Sequence, residues 1–209
     1  MQAQQIYQTV RETKIITIVR GTDQSSIIDI AKAVADAGVR LLEVTCNTKG
    51  FAEMIAKLSN QSPSQMIIGA GTVITKDLCR QALDAGAKYI IAPDTNPEVI
   101  GYCVENNIAV IPGAATPTEV LAAKRYGAKM VKIFPAAALG PDYIKMLKGP
   151  IDDIDFVAVG GVRPANVADF MAAGCVAIGI GGSIFKPEVI KNKQWHKITA
   201  AIQEYQKIK

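Results

Sequence analysis

From residue 14 onward, short runs of β-branched and apolar residues alternate with amphipathic stretches of about ten residues, the pattern expected of parallel strands joined by crossover helices. Eight such runs fall at 15–20, 41–45, 66–69, 89–92, 108–111, 130–134, 156–159 and 176–179. Between them, helical periodicity marks 26–37, 76–85, 97–105, 118–126, 141–147 and 164–172. Thr75 supplies an N-terminal signal before Lys76, and proline stands at the first turn of several others, where its missing N–H costs nothing. Residues 3–12 read as an extra helix ahead of the first strand, and 195–207 as the last helix.

The pairs Ala37-Gly38, Ala85-Gly86, Tyr126-Gly127 and Ala173-Gly174 each end a predicted helix and lead within about three residues into a strand. They recur every 40–50 residues or so, about two βα units. The reading is a (β/α)8 TIM barrel with an extra N-terminal helix, residues 1–209 forming one domain. A doubly wound open sheet is the alternative, which strand count alone leaves open.

Composition narrows the function classes. A chain of 209 residues, 49% hydrophobic and 20% charged, has the makeup of a soluble protein with a sizeable core. Lys and Arg exceed Asp and Glu by 23 − 19 = 4, and the basic residues are scattered. That balance suits a small anionic substrate and argues against nucleic acid. No apolar run reaches the roughly 18 residues that span a bilayer, so no membrane partner is expected. Cys46, Cys79, Cys103 and Cys175 show no C-x-x-C pairing and no signal peptide is evident, which points to a reduced, cytoplasmic compartment without a metal site.

Parallel strands buried on both faces should be almost wholly apolar, so charges within them are the informative positions. In Val131-Lys132-Ile133-Phe134, alternation sets Lys132 and Phe134 opposite Val131 and Ile133. Lys132 either snorkels to solvent from the strand end or points into the barrel, where desolvation lowers its proton affinity and yields the free amine that carbonyl attack requires. Glu43 shares a strand face with Thr45. It is either a structural ion-pair partner of Lys132 or a carboxylate near neutral pKa that passes protons both ways. Arg20 ends the first strand, as a solvated rim residue or as a planar fork for a carboxylate or phosphate.

Three glycine-rich segments read as turns that let backbone amides approach a ligand: Gly69-Ala70-Gly71-Thr72, Val159-Gly160-Gly161 and Gly179-Ile180-Gly181-Gly182-Ser183. The last two follow the seventh and eighth strands, where many barrels hold phosphate. The final run lacks the context of a dinucleotide fingerprint, and NAD is not read there. His196 falls on the last helix far from these strand ends. The cysteines read as core filler, with no histidine to activate them.

Through Leu42-Glu43-Val44-Thr45, Gly69-Ala70-Gly71-Thr72-Val73, Ile111-Pro112-Gly113, Lys132-Ile133-Phe134-Pro135 and Gly160-Gly161, the chain resembles the 2-keto-3-deoxy-6-phosphogluconate aldolase family over nearly its whole length. The resemblance implies a Schiff-base lysine at Lys132 and an acid/base at Glu43. It implies a pyruvate pocket at Thr72, Pro93 and Phe134, and phosphate at Gly160, Gly161 and the Gly182-Ser183 region. It further implies a phosphorylated 2-keto acid as the small-molecule partner, a homotrimer, and no metal or organic cofactor. Many phosphogluconate-type members carry arginine at the position of Asn47 and threonine at that of Val159. In the phosphogalactonate-type branch asparagine and valine recur, and an arginine matching Arg20 serves the anion, so the C4 epimer stays open. A 4-hydroxy-2-oxoglutarate aldolase and a non-catalytic phosphosugar-binding barrel are the rival functions.

Overall fold

The computed structural model describes residues 2–207, and each of the eight apolar runs supplies a strand. They are β1 (Ile15–Val19), β2 (Leu41–Thr45), β3 (Ile67–Gly71), β4 (Tyr89–Ile91), β5 (Ala109–Ile111), β6 (Gly113–Ala114), β7 (Met130–Ile133), β8 (Asp155–Val159) and β9 (Cys175–Ile180). All pair in parallel, in the order β5-β4-β3-β2-β1-β9-β8-β7-β6. The two ends of that order are one stave, because only Pro112 separates β5 from β6. The sheet therefore closes into a (β/α)8 barrel, and the open doubly wound alternative falls.

The fifth stave, expected as one strand, is split at Pro112. The Ile111 carbonyl still accepts from Ala92 N–H at 3.2 Å, on the β4 side, whereas the Pro112 carbonyl accepts from Lys132 N–H at 2.8 Å, on the β7 side. Proline has no N–H to offer either neighbour, so the stave changes partner there. Val110 faces the resulting gap and is satisfied by a side chain: its N–H donates to the Tyr7 hydroxyl at 3.0 Å, and that hydroxyl donates to its carbonyl at 3.2 Å.

Tyr7 belongs to α1 (Ala3–Thr13), the predicted extra helix. With Ile6 and Val10 it packs against the inward-facing Ile16, Leu41, Ile67, Tyr89 and Met130 and closes the N-terminal end of the barrel. Arg11 pins it by an ion pair to Asp155 at 2.7 Å. The outward faces of the strands, Leu42, Val44, Val131 and Ile133 among them, pack beneath the surrounding helices. Those helices are α2 (Ile27–Asp36), α3 (Phe51–Gln61), α4 (Lys76–Asp84), α5 (Pro97–Glu105), α6 (Pro117–Arg125), α7 (Ala136–Leu139), α8 (Pro141–Lys148), α9 (Val167–Ala172), α10 (Pro187–Lys191) and α11 (Trp195–Gln206). Thr75 caps α4 by accepting from Leu78 N–H at 3.2 Å. The stretch expected as one helix from 164 to 172 opens as a 3-10 turn at Pro164–Asn166 before α9 begins.

The helix-ending glycines take the left-handed conformation, with φ of +78° at Gly38, +105° at Gly86, +101° at Gly127 and +100° at Gly174. The Gly69–Gly71 segment is not the expected turn: β3 runs to Gly71, and both glycines lie within the strand. The space they leave is filled by protein. A Cβ on Gly69 would fall on the end of the Tyr89 ring, and one on Gly71 would fall on the Glu43 carboxylate.

Candidate active site

Lys132 is the third residue of β7, paired in register with Gly113 and Val157. Val157 faces the barrel interior while Val131 and Ile133 face the helices, so Lys132 points inward and does not snorkel. It is 5% exposed. Burial lowers its proton affinity, Glu43 opposes that shift and Arg20 adds to it. Its amine lies over the Phe134 ring, 4.6 Å from the centroid.

Glu43, third in β2, is 1% exposed. Desolvation raises its pKa from 4.5 to about 7, against the pull of Lys132 and then Arg20. Among the described residues no carboxylate comes within 4.0 Å of Lys132, so the two form no closed ion pair. They share the barrel interior with enough field between them to act on each other's protons, and each is left free to meet a reacting group.

Arg20 stands one residue beyond β1, which ends at Val19, and is exposed. Its Nη2 donates to Thr72 Oγ1 at 3.2 Å. Thr72 follows β3 directly with φ of +56°, a conformation that a β-branched residue rarely adopts. Pro93 is half-buried after β4, and its carbonyl lies where a Cβ on Gly113, the register partner of Lys132, would have to sit.

A cavity of about 700 Å³ opens at the C-terminal ends of β7, β8, β9 and β1. Of the expected residues Arg20, Phe134, Val159, Gly160, Gly161, Gly182 and Ser183 line it. Gly160 and Gly161 turn there with φ of +94° and +75°. Substituents on them would press on the Phe134 ring and on Ala137 respectively. Asn47 is exposed on the turn after β2 and is not part of this lining. Lys132, Glu43, Thr72 and Pro93 lie off the cavity wall, linked to it through Phe134 and Arg20.

Two contributors escaped the sequence reading. Arg163 lines the cavity just after the glycine pair, and its signal, a basic residue two positions beyond Gly161, was present. Tyr205 on α11 donates to Ser183 Oγ at 2.7 Å, a contact across the fold that no local pattern announces. His196 is exposed on α11, and the four cysteines are buried free thiols, as expected. No helix among the described residues is long and apolar enough to cross a membrane.

Residues 6–201 match the family model described as KDPG and KHG aldolase. The chain belongs to the KDPG and KHG aldolase family. The aldolase is 33% identical over 192 residues to the 2-dehydro-3-deoxy-6-phosphogalactonate aldolase of Escherichia coli K12, covering 91% of this chain and 94% of that protein. It is 32% identical over 201 residues to the 2-dehydro-3-deoxy-phosphogluconate aldolase of Treponema pallidum, covering 95% of each. Among solved structures, a native KDPGal structure superposes on the aldolase with a TM-score of 0.87 at 32% identity, over 93% of both chains. The KDPG aldolase from Legionella pneumophila, with pyruvate captured at low pH as a covalent carbinolamine intermediate, gives a TM-score of 0.87 at 28% identity, over 93% of this chain and 95% of that one.

Proposed function

We propose that the chain is a class I, Schiff-base aldolase that cleaves 2-keto-3-deoxy-6-phosphogluconate, or its C4 epimer the phosphogalactonate, to pyruvate and glyceraldehyde 3-phosphate. One observation carries the reading: a lysine buried inside the barrel with lowered proton affinity, in the field of a carboxylate raised to about 7.

In this reading the Lys132 amine attacks the C2 ketone, and Glu43 protonates the departing hydroxyl as the carbinolamine loses water to an iminium. The C3–C4 bond then breaks, its electron pair passing into the iminium to give an enamine, while Glu43 takes the C4 hydroxyl proton and C4 becomes the aldehyde carbon. Glyceraldehyde 3-phosphate leaves, C3 is protonated, and hydrolysis releases pyruvate and the free amine. Arg20 and Thr72 take the substrate carboxylate, Pro93 and Phe134 flank the pyruvate half, and Gly160, Gly161, Gly182 and Ser183 receive the phosphate. Asn47 and Val159 bear on the C4 epimer.

The family's curated members include both phosphogluconate and phosphogalactonate aldolases, which supports the substrate class and leaves the epimer to kinetics. Assembly as a homotrimer in the cytoplasm is part of the same reading, and four free buried thiols suit a reducing setting.

Borohydride reduction in the presence of pyruvate tests the chemistry. A mass increase localised by peptide mapping to Lys132 is the expected result. An unmodified Lys132, with no adduct elsewhere, would favour a non-catalytic phosphosugar-binding barrel.

A further inference from the structure

The Tyr89 hydroxyl and Glu43 Oε2 are both buried, and neither has a hydrogen-bond partner among the described residues. Each is expensive to leave so. Tyr89 otherwise packs among aliphatic side chains such as Ile67 and Ile111, where a phenylalanine of the same shape would carry no such cost. The hydroxyl therefore calls for a reason.

Register brings the two groups together. Glu43 pairs with Gly69 and Ala70 pairs with Ile90, which sets Tyr89 level with Gly69 and Glu43 one strand farther on. Tyr89 packs with the interior-facing side chains, and Glu43 shares their face. Two strand spacings, roughly 9–10 Å, separate the Glu43 and Tyr89 backbones, a gap that two long side chains span if nothing stands between them. What stands between is glycine. Gly69 clears room for the end of the Tyr89 ring and Gly71 for the Glu43 carboxylate. The end of the ring lies over Gly69, the register partner of Glu43, near enough that the Glu43 charge acts on the phenol.

We propose that Tyr89 is a positioning residue for Glu43: its hydroxyl donates to the carboxylate through one bridging water, and favours the charged form that accepts a proton. The inference rests on Glu43 being the proton shuttle of the proposed function. A donor must hold its own proton, and burial followed by the Glu43 charge keeps the phenol well above its usual range. The other titratable groups facing Glu43 are Lys132 on β7 and Arg20 after β1, which draw its proton affinity down, and the Cys46 thiol after β2, which burial pushes up to about 12. Lys132 and Arg20 are groups that a substrate engages, so the phenol is the partner that stays on Glu43 through the cycle.

Tyr89→Phe removes the oxygen and keeps the ring. Expected are an unchanged circular dichroism spectrum, a KM within about twofold, a lowered kcat, and an acid limb of the kcat profile moved up by about one pH unit. Site-specific 3,5-difluorotyrosine at position 89, a stronger donor, is expected to move the limb the other way, and it serves equally if the phenylalanine variant does not fold. A limb unmoved by both changes would overturn the proposal. Glu43→Gln separates this from the underlying reading: if the limb survives in Glu43→Gln, Glu43 is not the shuttle and the assignment of Tyr89 falls with it.

Discussion

The Arg20 guanidinium donates to the Thr72 hydroxyl at 3.2 Å, joining the end of β1 to the residue after β3. Thr72 keeps a left-handed backbone at φ +56°, a conformation costing roughly 1–3 kcal/mol that persists only where its surroundings fix it. Arg20→Ala removes both the cation proposed to hold the substrate and this anchor. Losing a charged hydrogen bond costs roughly 1.5–3 kcal/mol, so steady-state kinetics should show KM rising by about 10- to 100-fold with a smaller change in kcat. An unchanged KM would take Arg20 out of the site.

Replacing Lys132 separates its charge from its nucleophilicity. Lys132→Ala should abolish turnover, and Lys132→Arg should do the same while keeping a cation in place, because a guanidinium stays protonated and does not add to a ketone. Cleavage coupled to detection of released pyruvate reports both. Undiminished turnover in either variant would end the Schiff-base proposal.

Glu43 sets a cost on stability that depends on pH. Its carboxyl is held at about 7 in the fold against 4.5 ordinarily. As pH rises the unfolded chain gives up this proton first, so stability falls between about 4.5 and about 7 and is level above. At about 1.4 kcal/mol per pH unit, that is on the order of 3 kcal/mol. Glu43→Gln should therefore be more stable than the parent at pH 8 by up to that amount, which is already net of the attraction to Lys132, and no more stable at pH 4. Urea midpoints at the two values measure it.

The two β3 glycines should fail differently. Gly69→Ala drives a methyl into the rigid Tyr89 ring, and overpacking of this kind costs about 1–3 kcal/mol, visible as a lower denaturant midpoint. Gly71→Ala meets the Glu43 carboxylate, which can rotate aside, so this variant should lose kcat out of proportion to its stability.

Arg163 at the cavity wall should matter only when phosphate is present. It is exposed, and exposed charge pairs contribute roughly 0.2–1 kcal/mol, so Arg163→Ala should raise KM for the phosphorylated substrate by up to about fivefold. Added salt should shrink the difference. The KM for unphosphorylated 4-hydroxy-2-oxoglutarate should not move.

The barrel was legible because the strands are almost wholly apolar and helix ends are marked, as at Thr75 and Gly86 on either side of α4. Lys132 and Glu43 were legible for a related reason: a charge inside a strand buried on both faces has few explanations. The same reasoning failed at Gly69–Gly71, where β3 was cut short at its first glycine. Sequence marks a missing side chain but not which neighbour moves into its place. Tyr89 was hidden because an aromatic in an apolar run counts as packing until its oxygen is asked for a partner. The Pro112 split was equally silent, since it depends on which neighbour each carbonyl faces.

The helix that plugs the barrel floor, through Tyr7 on Val110 and Arg11 on Asp155, makes the molecule a cup with a single rim. Substrate then enters at the C-terminal ends of the strands, where the cavity bordered by Gly161 and Ser183 opens, and products leave at the same end. On the proposed chemistry the fragment bearing phosphate lies nearer the rim, so the aldehyde departs first and the keto acid last. Pyruvate should then compete with incoming substrate, while the phosphorylated aldehyde should block escape of the product beneath it.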